Sequence, residues 1–205
     1  MSVNPEALRE NLLQAQILDS PGRHHEFASG KHGVKADFDK LNGDFGYGMW
    51  TNTVYAFLLE QQVNPEVLIG VGGANRLALD VARKYDGRVI GLTSQKDPNN
   101  KHDFVLPDVT RRVLSSGQFE KAVILDEVGE TGRQAAEVGK LALAAGIPAV
   151  EVVYTWQRQS VMPALDEAGI AYRSIITGHN LTSYPADDCP SCDRGDKLIP
   201  YVPSD

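Results

Sequence analysis

Five short apolar runs, set apart by helix-forming or polar stretches, constrain this chain more than any other feature. They are VLIGV (67–71), RVIGLT (88–93), KAVILDE (121–127), AVEVVYT (149–155) and RSIIT (173–177). Runs this short and this continuously apolar predict strands covered on both faces. Between them, RLALDVARKY (76–85) carries Leu77, Val81 and Tyr85 at helical spacing. QAAEVGKLALAAG is a second helix, closed by Gly146 with Pro148 just behind, and a further helix is expected near 160–168. Strand and helix in alternation predict an α/β fold with a mostly parallel central sheet flanked by helices.

The first third of the chain is less regular. Residues 5–18 place Leu8, Leu12 and Ala15 on one face, which predicts an amphipathic helix closed by Pro21-Gly22. EFASGKHGVKADFDK alternates loosely and predicts a short strand pair or hairpin. Gly43, Gly46 and Gly48 are expected to break the chain before a helix from about Met49 to Gln62. A length of 205 residues suits one domain.

Charge and cysteine content narrow the function. Lys and Arg number 20 against 27 Asp and Glu, a net charge of −7 that argues against a duplex nucleic-acid binder. Residues 70–112 run the other way: eight Lys/Arg against five Asp give +3, as a pocket for a polyanion requires. Both cysteines lie in CPSC, at Cys189 and Cys192, too few for a secreted disulfide framework. MSVNPEALRENLL lacks the basic-then-apolar pattern of a leader, and no apolar run approaches the roughly 18 residues of a membrane span. A soluble, cytoplasmic protein is expected.

Ligands of open parallel sheets bind beyond the carboxyl ends of the strands, and two such ends are conspicuous. In GVGGAN (70–75), a glycine turn leads into a helix, and Gly72, Gly73, Ala74 and Asn75 would bring backbone N–H groups to an anion. Tight strand–helix packing is an equally good reason for such glycines. The second end, AVILDEVGETGRQAAEV, is more specific. Ala122 to Leu125 run directly into Asp126 and Glu127. Two carboxylates at the end of a buried strand are costly unless they meet hydroxyls, a cation or a metal. Val128, Gly129, Glu130, Thr131, Gly132, Arg133 and Gln134 then turn onto a helix N-terminus, a cradle for phosphate. Acids beside a phosphate site point to a sugar phosphate. A solvated acidic turn capped by Thr131 is the alternative.

The string ILDEVGETGRQA resembles the phosphoribosyl-pyrophosphate motif of type I phosphoribosyltransferases. The resemblance implies that Asp126 and Glu127 hold the ribose 2′ and 3′ hydroxyls and that Gly129–Gln134 wraps the 5′-phosphate. GVGGAN then matches the pyrophosphate loop. FASGKHGVKADFDK, with Ser29, Gly30, Lys31 and Asp39, is similar to the N-terminal stretch of orotate phosphoribosyltransferases, and the Cys-Pro-x-Cys tail resembles some members of that subgroup. The likeness runs from roughly residue 27 to 201. It departs from the usual Thr-Thr-Gly phosphate loop, where Glu130 takes the first Thr position, Arg133 follows Gly132, and Gln134 replaces Ser or Thr.

The same resemblance implies hood elements at about 1–48 and 178–205 and a homodimer. It implies Mg²⁺ carried by the donor rather than a metal held by the protein, and a base, orotate preferred, as acceptor. It also makes the polar stretch SQKDPNNKHDF a mobile loop that closes over the donor, with Lys96, Lys101, His102 and Asp126 as the catalytic set. His102 suits a proton donor, since an unperturbed imidazole titrates near 6.5. A non-catalytic sensor of phosphoribosyl pyrophosphate, a hydrolase, or a transferase for another base are the alternatives.

Other residues read less sharply. His24-His25 follow a Pro-Gly turn and are expected at the surface. Cys189 and Cys192 would be half of a four-ligand zinc site, the rest coming from a second subunit or His179; a packed tail turn is the other reading. Tyr154 and Trp156 follow a strand end and would face the base or pack in the core.

Overall fold

The computed structural model describes Ala7, Glu10 and residues 23–27, 30–33, 38–41, 44–100, 103–158, 161–177 and 183–200. Most of the helix expected over 5–18 therefore lies outside the described residues, as do Ser29, Lys101, His102 and His179; Ala7 and Glu10 are helical.

In chain order, β1 (Arg23–Glu26) and β2 (His32–Gly33) precede α1 (Asp44–Glu60). Then come β3 (Val67–Gly70), α2 (Asn75–Arg83), β4 (Ile90–Thr93), β5 (Gln95–Lys96), β6 (Phe104–Val105) and α3 (Asp108–Leu114). The second half contains β7 (Lys121–Gly129), α4 (Arg133–Ala144), β8 (Ala149–Gln157), α5 (Pro163–Ala168), β9 (Ala171–Thr177), α6 (Pro190–Asp193) and β10 (Lys197–Ile199). The five apolar runs form one sheet in the order β4-β3-β7-β8-β9, parallel throughout.

Successive residues in the middle of β3, β7 and β8 enter two separate cores in turn, which is why these runs are apolar on both faces. Leu68, Val123, Leu125 and Val153 face α1 and α2 through Trp50, Leu58, Leu77 and Val81. Val67, Ile69, Ile124 and Val152 face α4 and α5 through Ala135, Val138, Ala142 and Leu165. Gly91 lets α2 lie directly on β4, because a Cβ there would stand 2.8 Å from the Leu79 Cα.

Two expectations need correction. α1 begins at Asp44, not Met49, so Gly46 and Gly48 lie inside it. Tertiary contact outweighs the helix cost of those glycines: Trp50 stacks on Phe38 at 4.7 Å, and a Cβ on Gly46 would come within 3.2 Å of Leu41. The loop after β4 is also more ordered than a bare polar stretch, for β5 and β6 pair antiparallel as a ribbon. Phe104 and Leu106 are buried against the α4 side of the sheet and anchor it.

Two segments far apart in sequence, 23–33 and 197–199, meet in a second, three-stranded sheet of order β10-β1-β2. No helix among the described residues is long and apolar enough to cross a membrane. Gly91→Ala is expected to destabilise the protein by about 1–3 kcal/mol through overpacking against the α2 backbone, measured by urea unfolding. A loss below about 0.5 kcal/mol would contradict that close approach.

Candidate functional site

Register decides where the two conspicuous turns lie. Gly70 pairs with Leu125 in the β3–β7 ladder, so both strands reach the same edge together. The Val71 N–H donates to the Leu125 carbonyl at 3.0 Å and carries the glycine turn alongside β7. Close packing accounts for two of the glycines. A Cβ on Gly70 would lie 2.4 Å from the Ala74 carbonyl oxygen, so Gly70 serves packing. Gly72 has φ +53°, and a Cβ on Gly73 would press on the Glu127 carboxylate at 2.7 Å. The glycine turn thus lies directly against the Glu127 carboxylate at the carboxyl edge of the sheet.

Asp126 is the uncompensated charge of that site. Its Oδ1 accepts from the Glu127 N–H at 2.8 Å, and no ion pair to it exists among the described residues. Burial pushes its carboxyl up to about 7, with that backbone hydrogen bond opposing the shift. The contrast with Glu151 is informative. That acid, near the opposite end of β8, is buried between Lys121 at 3.0 Å and Arg173. The fold compensates the buried Glu151 with two cations, whereas Asp126 is buried with no ionic partner among the described residues.

Beyond Asp126, the turn from β7 into α4 encloses a cavity of about 370 Å³ lined by Asp126, residues 128–134, Tyr154 and Arg158. Gly132 caps α4 with φ +76°, no side chain caps the helix, and no acid sits in its first turn. Its first N–H groups are therefore suited to an anion. Arg158, which sequence reasoning missed, brings a buried guanidinium to this cavity and stacks on Phe27 at 4.6 Å. Burial lowers its pKa and the Glu130 charge opposes that. Its signal was available, since it is a basic residue just past the end of a buried strand. Tyr154 and Trp156 are core residues, 0% and 1% exposed. Tyr154 nevertheless contributes to the cavity lining, and its buried hydroxyl has no hydrogen-bond partner among the described residues.

Glu130, in the turn from β7 to α4, is held by two residues distant in sequence. Lys31 reaches it at 3.4 Å and the Ser183 hydroxyl donates to the same oxygen. Arg133 turns outward to Asp103 of the ribbon at 3.5 Å, and its N–H lies 3.4 Å from the Thr131 hydroxyl. Gln134 is exposed. At the base of the ribbon, the Asn75 amide donates to the Ser94 carbonyl at 2.8 Å and accepts from the Ser94 N–H at 3.0 Å. Its side chain thus ties the glycine turn to the ribbon. Lys96 is exposed on β5.

No family model matches the sequence and no curated protein matches it. Solved structures do match. Orotate phosphoribosyltransferase from Aeropyrum pernix superposes with a TM-score of 0.67 at 16% identity over 83% of this chain and 93% of that one. The chain has the type I phosphoribosyltransferase fold. Adenine phosphoribosyltransferase from Saccharomyces cerevisiae, solved with adenine and an imino-altritol bisphosphate, has a TM-score of 0.62 at 13% identity over 83% of this chain and 99% of its own. Orotate phosphoribosyltransferase from Mycobacterium tuberculosis H37Rv, in complex with inorganic phosphate, has 0.59 at 16% identity over 84% and 95%. On this phosphoribosyltransferase fold, the glycine turn, the acid pair and the cavity under α4 share the carboxyl edge of the sheet.

Burial of Asp126 has a measurable cost. Its native pKa of about 7 stands above the ordinary carboxylate value of 3.8, so the native state binds the proton more tightly than the unfolded chain. Stability associated with this group is complete below pH 3.8 and is lost as pH rises through about 7. Asp126→Asn should therefore raise the melting temperature of the ligand-free protein increasingly across that window and level off above it. A difference independent of pH in thermal melts would refute the buried, uncompensated state of Asp126.

Proposed function

We propose that this protein is a phosphoribosyltransferase that moves ribose 5-phosphate from phosphoribosyl pyrophosphate to a nitrogenous base, with orotate the preferred acceptor. The observation that carries the reading is the position of Glu127 against the glycine turn, beside the uncompensated Asp126 and a cavity at a helix N-terminus. One ligand carrying hydroxyls, a monophosphate and a diphosphate suits all three. Asp126 and Glu127 would accept from the ribose hydroxyls, and the α4 N–H groups with Arg158 would take the 5′-phosphate. The Gly72–Gly73 turn would take the pyrophosphate.

In the reaction the C1–O bond to pyrophosphate breaks and a C1–N bond to the base forms. The protein's task is electrostatic: carboxylates beside a cationic sugar, and N–H groups and Lys96 toward the departing anion. Carboxylates at this edge fit a Mg²⁺ ion arriving on the donor, where it would neutralise diphosphate charge. Lys101 and His102, four residues from the ribbon strand β6 at most, belong to the same closing segment in this reading. Preference for orotate rests on the orotate-type stretch around Gly30-Lys31, whose lysine reaches the phosphate loop.

A specific observation favours a second reading, a sensor that binds the donor without turnover. The Glu130 carboxylate stands in the phosphate loop, where it would repel a bound phosphate, and is held there by Lys31 and Ser183. Pyrophosphate release with Mg²⁺ across a panel of bases separates the two. Turnover with orotate is expected. Donor binding without turnover on any base would favour the sensor, and no donor binding would remove both readings.

Two sets of variants test the roles. Asp126→Asn with Glu127→Gln should weaken donor binding by about 2–4 kcal/mol by calorimetry, while Glu130→Thr should tighten it by relieving repulsion. Lys101→Ala and His102→Ala should lower turnover by about 10–10³-fold with a much smaller change in KM, as for contacts made chiefly in the transition state. Normal turnover in both would leave Lys101 and His102 without a catalytic role.

A further inference from the structure

The hood contains a side-chain cluster that the phosphoribosyl site does not use. His24, expected at the surface, is 0% exposed on β1, and His32 of β2 is also buried. Cys189 is buried at the N-terminus of α6, and Cys192 lies within that short helix. One ligand atom from each of the four lies within 4.8 Å of every other. His24 Nε2 and His32 Nδ1 both approach the Cys192 sulfur at 3.2 Å. Four donor atoms bound tetrahedrally to zinc, at about 2.0–2.3 Å each, stand about 3.5 Å apart. The cluster needs only a small contraction to meet that geometry.

We propose that His24, His32, Cys189 and Cys192 form a structural Zn²⁺ site within a single chain. The two thiols come from a Cys-x-x-Cys turn, in which the Asp193 N–H donates to the Cys189 carbonyl at 3.2 Å and the Gly195 N–H to the Cys192 carbonyl at 2.9 Å. Gly195 has φ +75°, which lets the chain reverse immediately after the second cysteine. The imidazoles come from strands that the tail itself holds in place. β10 pairs in parallel with β1, setting His24 beside Leu198, and the His32 and Tyr184 backbones exchange two hydrogen bonds of 2.8 Å. Two thiolates and two neutral imidazoles form a closed set that favours Zn²⁺ and leaves no coordination position for catalysis.

The site answers a stability problem. A three-stranded sheet with strands of four, two and three residues has little apolar surface to hold it, and it draws on both ends of the chain. A metal that joins β1, β2 and the tail supplies the missing crosslink, and its binding energy becomes folding energy for the hood. It also fixes the two residues that grip Glu130: Lys31 adjoins the ligand His32, and Ser183 adjoins Tyr184, which is clipped to His32. The metal would thereby set the position of the hood over the phosphate loop.

Metal analysis of the intact protein, purified after growth with added zinc, should find about one zinc per chain. Replacement by Co²⁺ should give the intense visible bands of tetrahedral coordination and a thiolate charge-transfer band in the near ultraviolet. Cys192→Ser and His32→Ala should lose the metal and those bands, while Ser191→Ala, in the same turn, should keep both. Should the ligand variants misfold, the wild-type stoichiometry and Co²⁺ spectrum still decide the matter. Zinc far below one per chain, with no uptake by the reduced protein and thiols equally reactive with or without zinc, would overturn the site. So would isolation as a Cys189–Cys192 disulfide that takes up no metal once reduced.

Discussion

Parallel pairing of β3 with β7, both faces buried, is the constraint from which the rest of the molecule follows. Each rung from Val67↔Ala122 to Gly70↔Leu125 places an apolar side chain or a glycine in one of two dry cores. Polar chemistry is therefore confined to the ends of the ladder. At the carboxyl end, helix N-termini and glycine turns supply N–H groups, and Asp126 stands where the apolar run stops. The concentration of unsatisfied donors and an uncompensated acid at one edge is a consequence of satisfying everything else along the strands.

The β5–β6 ribbon and the segment before β2 are each tied to the turn between β7 and α4 by an ion pair. Asp103 meets Arg133, and Lys31 meets Glu130. Both pairs are partly exposed, so each contributes little to stability by itself. Their value lies in position, because they bring two separate segments to the same turn. Glu130 is the more telling of the two, since Ser183 holds the same carboxylate and ties the C-terminal segment to the loop as well. Glu130 thereby joins the turn between β7 and α4 to two segments far from it in sequence, at Lys31 and at Ser183.

Much of this was legible in the chain itself. The five apolar runs, their helical spacers and the Asp126-Glu127 pair specify a parallel sheet with a polar carboxyl edge, because burial on both faces leaves an unbroken apolar signature. Tertiary structure alone decided the rest. Gly46 and Gly48 lie in a helix because Trp50 and Phe38 pack there, and Arg158 and Lys31 reach the turn between β7 and α4 from positions 28 and 99 residues away from Glu130. His24 and His32 carry no ligand pattern with Cys189 and Cys192 in sequence. The pairing of β1 with β10 and with β2, and the His32–Tyr184 bridge, bring their donor atoms together. Local periodicity reports which faces are buried; it carries no record of which distant side chains meet once they are.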